Sequence, residues 1–119
     1  MANIFHICRR EEWQAALAVG RYYGSSQDVA DGFIHFSASD QVVRSAQKHR
    51  AGQSGLVLIC VDSDTLGSAL RWEPSRSGKL FPHLYGPLDP ASARGVYELP
   101  LGGDGRHVFP AELELVYDQ

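Results

Sequence analysis

Leu56-Val57-Leu58-Ile59-Cys60-Val61 is the longest uninterrupted apolar run in the chain, with Gly55 before it and Asp62-Ser63-Asp64 after it. A strand with one wet face alternates polar and apolar residues, so six apolar residues in succession read as a strand covered on both faces. This run is the expected centre of a sheet. It is far too short to cross a bilayer, which takes roughly 20 apolar residues.

Upstream, residues 3–7 read as a strand with Phe5 and Ile7 on one face and Ile4 and His6 on the other. Trp13, Ala16, Leu17 and Gly20 recur at helical spacing, which predicts an amphipathic helix from Arg10 to about Val19, stopped at Gly20. Glu11 and Glu12 fall in its first turn, where the helix dipole favours them. Residues 21–31 form a turn-rich connection with room for one helical turn, closed by Gly32. A second strand follows over 33–37, with Ile34 and Phe36 on one face and Phe33, His35 and Ser37 on the other. Ser37 and Ser39 lead into a helix whose Val42, Val43 and Ala46 make a narrow apolar seam to about His49.

Downstream, residues 65–69 read as a short helical turn and 70–73 as a strand stopped by Pro74. The polar stretch 75–79 is a connection, and 82–87 is an extended piece pinned between prolines. Residues 96–101 alternate, with Tyr97, Leu99 and Leu101 on one face; 102–105 is a glycine loop, and 112–117 is expected as a terminal strand. Helices early and strands late favour a mixed α+β fold over a βαβ array, with two or three helices mostly in the N-terminal half.

The 119 residues, 44% hydrophobic and 21% charged, suit one domain over 1–119 with one core. The net charge of -3, with no basic run, argues against duplex nucleic acid as the main partner, although a single nucleotide or an RNA end remains compatible. The N-terminus shows no charged region followed by a long apolar one, so a cytoplasmic protein with no membrane association is expected. Cys8 and Cys60 share no CxxC spacing and read as buried free thiols.

Gly32-Phe33-Ile34-His35-Phe36-Ser37 is the strongest chemical constellation. Strand parity puts His35 beside Ser37, and the helix that follows offers unpaired N–H groups suited to a phosphate. The alternative is a plain N-cap serine and a hydrogen-bonded strand histidine. His6 and His83 each occupy a short extended segment next to aromatic residues, so the three histidines are expected to converge on a small-ligand cleft. Tyr85 falls on the His83 face and offers its ring to a planar ligand, with Arg9 or Arg10 as phosphate counter-charge. Arg71 and Glu73 point one way, a pattern more common for solvated pairs. Without HxH or HxxxH spacing no metal is expected, and there is no GxSxG elbow.

At these residues the chain resembles the domain of unknown function 952 family of bacterial and plant proteins. The resemblance rests on Phe5-His6-Ile7, on Trp13 with Ala16 and Gly20, on residues 32–37, and on Phe81-Pro82-His83-Leu84-Tyr85-Gly86-Pro87. That family is similar in fold to ADP-ribosyltransferases, which implies a split β-sheet core and NAD as substrate or ligand. The analogy implies that His6 contacts a ribose hydroxyl and that His35 lies by the nicotinamide, as a histidine does in the RNA 2′-phosphotransferase branch. The late glutamate of protein-modifying members has no clear match; Glu98 is a weak candidate.

The expectation is therefore an ADP-ribosyltransferase-like domain that takes NAD, ADP-ribose or a related phosphorylated ribose. His35 and His83 are its candidate catalytic residues, and His6, Ser37, Tyr85 and Arg9 its ligand contacts. An NAD-dependent ADP-ribosyl or 2′-phosphate transferase fits this set. A non-catalytic module that holds a protein partner and a metal-assisted small hydrolase are the alternatives.

Overall fold

The computed structural model describes residues 2–117. The apolar run forms β4 (Leu56–Asp62), buried from Leu56 through Val61. It pairs antiparallel with β1 (Asn3–Arg9) on one side and β7 (Ala93–Glu98) on the other. With β3 (Ser37–Ala38) it makes a four-stranded sheet in the order β3-β1-β4-β7. A second antiparallel sheet, in the order β2-β6-β5, joins β2 (Ile34–His35), β6 (Leu80–Leu84) and β5 (Leu70–Pro74). Three α-helices precede β4: α1 (Arg10–Val19), α2 (Ser26–Asp31) and α3 (Val42–His49). The fold is mixed α+β.

Both faces of β4 are covered because its odd and even residues feed different cores. Val57, Ile59 and Val61 join Ile4, Cys8, Trp13, Ala16 and Tyr22 in a core that also receives Ile34, Phe36 and Leu84 from the second sheet side. Leu56, Leu58 and Cys60 join Phe5, Val42, Val43, Ala46, Leu99 and Phe109 under α3. The two thiols are free, buried and in different cores. Burial pushes the Cys8 thiol up to about 12, so it stays protonated. Among the described residues no helix is long and apolar enough to cross a membrane.

Three expectations are corrected. Residues 33–37 are not one strand: β2 pairs with β6 in the small sheet, whereas Ser37 pairs with Phe5 in the large one. The change occurs at Phe36, whose N–H donates to Pro82 O at 2.9 Å and whose ring is buried. Alternation predicts faces only within one sheet, so His35 and Ser37 part company there. Neither Ser37 nor Ser39 caps α3; Gln41 holds that position, its Oε1 accepting from Ala38 N–H at 2.9 Å. Residues 112–117 are not a strand. Leu113 and Leu115 pack on the α3-side core from an irregular segment, whose backbone reaches across through Val116 N–H to Ser39 O.

Candidate functional site

The site grows out of α2. Ser25 caps this helix and forms a reciprocal capping box with Asp28: Asp28 N–H donates to Ser25 Oγ at 3.4 Å, and Ser25 N–H donates to Asp28 Oδ2 at 2.7 Å. Gly32 then ends the helix at φ 89, a left-handed turn that glycine adopts without strain, and the chain doubles back across Asp28 as β2. His35 therefore meets the carboxylate twice. Its backbone N–H donates to Asp28 Oδ1 at 3.1 Å and its ring Nδ1 to the same oxygen at 2.6 Å. Asp31, one turn further along α2, puts Oδ2 3.3 Å from His35 Nε2.

Asp28 is only 3% exposed. Burial alone would raise its pKa, but the His35 hydrogen bond, the nearby His6 and the N–H groups of Ser25 and His35 outweigh it and hold the carboxyl at about 2. It is a buried anion built to hold His35.

His6 lies behind Asp28 in the core. Its Nδ1 faces His35 O at 2.6 Å and must donate there, because a carbonyl only accepts. Its Nε2 is then left to accept from Tyr22 O–H at 2.5 Å. Burial lowers the His6 pKa, in keeping with this neutral tautomer. His6 and His35 are neighbours at different depths, the first 3% and the second 41% exposed.

His83 is the register partner of His35 across β2 and β6, and its ring lies 5.4 Å away, edge on. It too is held by a carboxylate: Nδ1 donates to Glu73 Oε1 at 2.8 Å. The same oxygen accepts from Tyr85 O–H at 2.7 Å. These hydrogen bonds, Tyr85's foremost, lower the Glu73 pKa and raise that of Tyr85. Glu73 is therefore part of the site rather than the partner in a solvated Arg-Glu pair. Arg71, paired in register with His83, stacks its guanidinium 4.9 Å from the Tyr85 ring centroid. Phe33 stacks on His83 at 4.1 Å and stands 4.5 Å from His35 and 5.2 Å from Tyr85.

These side chains share one face of the small sheet, the face opposite Ile34 and Leu84, which point into the core. On it the His35 side chain is 41% exposed and that of His83 13%. Two shallow grooves lie apart from it, one involving Val43, Asp104 and Tyr117, the other Phe5, Trp72 and Leu113.

The remaining expected contacts fall elsewhere. Ser37 Oγ donates to Ser45 Oγ of α3 at 3.3 Å, on the far side from His35. Arg9 sits at the α1 N-terminus, its N–H donating to Glu12 Oε1. Arg10 pairs with Glu98 between α1 and β7. Asp28 and Asp31 were not singled out by sequence; the available signal was Ser25-x-x-Asp28, which marks a helix start and says nothing of a histidine seven residues on. Among the described residues no three His, Cys, Asp or Glu are grouped to hold a metal ion.

The crystal structure of protein CC0527 from Caulobacter crescentus is similar to this chain, with 46% identity, a TM-score of 0.86, and coverage of 89% of this chain and 93% of that one. The solution NMR structure of CC0527 matches at 47% identity and a TM-score of 0.80, over 89% and 91% of the two chains. No curated protein matches the chain. Residues 7–96, which include Asp28, His35, Glu73, His83 and Tyr85, match the family described as protein of unknown function (DUF952), and the chain belongs to that family.

Proposed function

We propose that the outer face of the small sheet binds a phosphorylated ribose, such as NAD or ADP-ribose. The observation that carries this reading is the pair His35 and His83, register partners each held through Nδ1 by a carboxylate. Carboxylate-held imidazoles present Nε2 in a fixed direction, suited to a sugar hydroxyl or a phosphate oxygen. Phe33 and Tyr85 beside them offer π faces for a base or nicotinamide ring. A cationic nicotinamide gains further from Glu73 and Asp31, and Arg71 supplies the charge that a phosphate needs.

The ADP-ribosyltransferase-like layout implied by the resemblance belongs to this proposal, and two antiparallel sheets joined at Phe36 support it. In this reading His6 acts from behind, fixing the His35 carbonyl, and does not touch the ligand.

NMR titration of labelled protein with NAD, ADP-ribose and nicotinamide tests the proposal. Shifts confined to Phe33, His35, His83, Tyr85 and their neighbours are expected, and His35→Ala should weaken binding at least about tenfold, the loss of one charge-assisted hydrogen bond. No binding at millimolar ligand, or binding indifferent to His35→Ala, contradicts it.

A further inference from the structure

We propose that His35 and His83 form a proton donor and acceptor that cleave single-stranded RNA by attack of a ribose 2′-hydroxyl on the adjacent phosphodiester. This rests on the phosphorylated-ribose reading above and names the polymer that supplies the ribose.

Both imidazoles use Nδ1 for a carboxylate; Nε2 of His83 is left for a ligand, and Nε2 of His35 stands beside Asp31 Oδ2. No buried side-chain nitrogen or oxygen among the described residues lacks a hydrogen-bond partner. His83 Nε2, with Glu73 on the other ring nitrogen, is therefore not fully buried, on a side chain that is 13% exposed. The rings stand 5.4 Å apart on paired strands, close enough to serve the two oxygens of one phosphodiester.

Their surroundings differ. Asp31 Oδ2, an acceptor only, stands 3.3 Å from His35 Nε2, whereas the single carboxylate at His83 is spent on Nδ1. This assigns His35 as the donor and His83 as the acceptor. The step balances without a further reactant. His83 Nε2 takes the 2′-hydroxyl proton, the 2′ oxygen bonds to phosphorus, the P–O5′ bond breaks, and His35 Nε2 gives its proton to O5′. A 2′,3′-cyclic phosphate and a 5′-hydroxyl strand leave, and exchange with water resets the pair.

The aromatic residues of the face select the polymer. Phe33 and Tyr85 flank the histidine pair on the same face of the small sheet. Aromatic residues on an open sheet are how proteins stack the splayed bases of single strands. Arg71 stands opposite His83 on β5, next to the Tyr85 ring, where it meets phosphate charge.

The test incubates the full chain with an end-labelled oligoribonucleotide of mixed sequence and with its all-2′-deoxy and 2′-O-methyl counterparts. Cleavage of the ribo form alone, leaving a 2′,3′-cyclic phosphate end, is expected. His35→Asn and His83→Gln should each slow it by about 100-fold or more, the usual contribution of one acid or base. Each should also turn a bell-shaped pH–rate profile into one limb. The groups facing the pair in that profile are Asp28 and Asp31 on α2, Arg71 and Glu73 on β5, Tyr85 just after β6, His6 on β1 and, at longer range, His49 on α3. Nitrogen–proton correlation spectra of the variants report whether they fold. Binding of RNA or ADP-ribose to this face without cleavage overturns the chemistry and leaves the binding proposal standing. Cleavage of the 2′-O-methyl form, or cleavage that persists in a His35→Asn/His83→Gln double variant, overturns the assignment even if a single variant fails to fold. Absence of any ligand on this face overturns both proposals.

Discussion

Asp28 shows how one residue sets the chemistry of its neighbours. Its carboxyl is held at about 2 when folded and titrates near 3.9 when unfolded. The stability it contributes is therefore fully present above about pH 4 and is lost as the pH falls toward 2, by about 2.5 kcal/mol. His6 adds a loss that begins at higher pH. Burial lowers its pKa, so the unfolded chain takes up a proton first below pH 6.5, and stability falls with acid there too. Urea denaturation as a function of pH should show both steps. Asp28→Asn should lower stability at pH 7 by about 3 kcal/mol and flatten the curve between pH 4 and 2. An unchanged slope in that window would show that Asp28 is not the titrating group.

At the scale of elements, the tight approach of the chain before α2 fixes where Asp28 sits. Gly24 has φ 100, and a Cβ there would stand 2.5 Å from Asp28 Cβ and 2.9 Å from Oδ2. Gly20, at φ 86, has nothing within 4 Å of an added Cβ. Gly20→Ala should cost about 1 kcal/mol, the left-handed penalty alone. Gly24→Ala should cost at least about 2 kcal/mol, because backbone strain and overpacking combine, and it should displace the His35 resonances. Equal costs in denaturant would mean that the contact with Asp28 does not constrain the loop.

The elements also show what periodicity can reveal. β4, α1 with its Gly20 stop, α3 and the face shared by Phe33 and His35 follow from spacing, because each is decided by which residues lie against a core. The separation of Ser37 from His35 does not, because it depends on a switch of sheets at Phe36 set by pairing with residues far along the chain. Nor does the pairing of His83 with Glu73, which needs the β5–β6 register, or the irregular path of 112–117. Side-chain chemistry was legible in kind, and its geometry waited on tertiary pairing.

For the molecule as a whole, the large sheet is common to both cores. Ile59 and Leu58 are adjacent residues of β4 that point into opposite ones. Ile59→Ala and Leu58→Ala should each cost about 2–5 kcal/mol, the range for emptying a fully buried aliphatic site. Each should shift a single transition on which Trp fluorescence and far-UV circular dichroism coincide. Separate transitions by the two probes would mean that the cores unfold independently.

The same architecture gives the small sheet an inner face for packing and an outer face for chemistry. A crystal structure of the protein soaked with ADP-ribose tests that division. A base or ribose is expected against Phe33 and Tyr85, with ribose or phosphate oxygens within hydrogen-bond distance of Nε2 of His35 and His83. Ligand seated only in the groove by Trp72 and Leu113, or only in that by Asp104 and Tyr117, would contradict it.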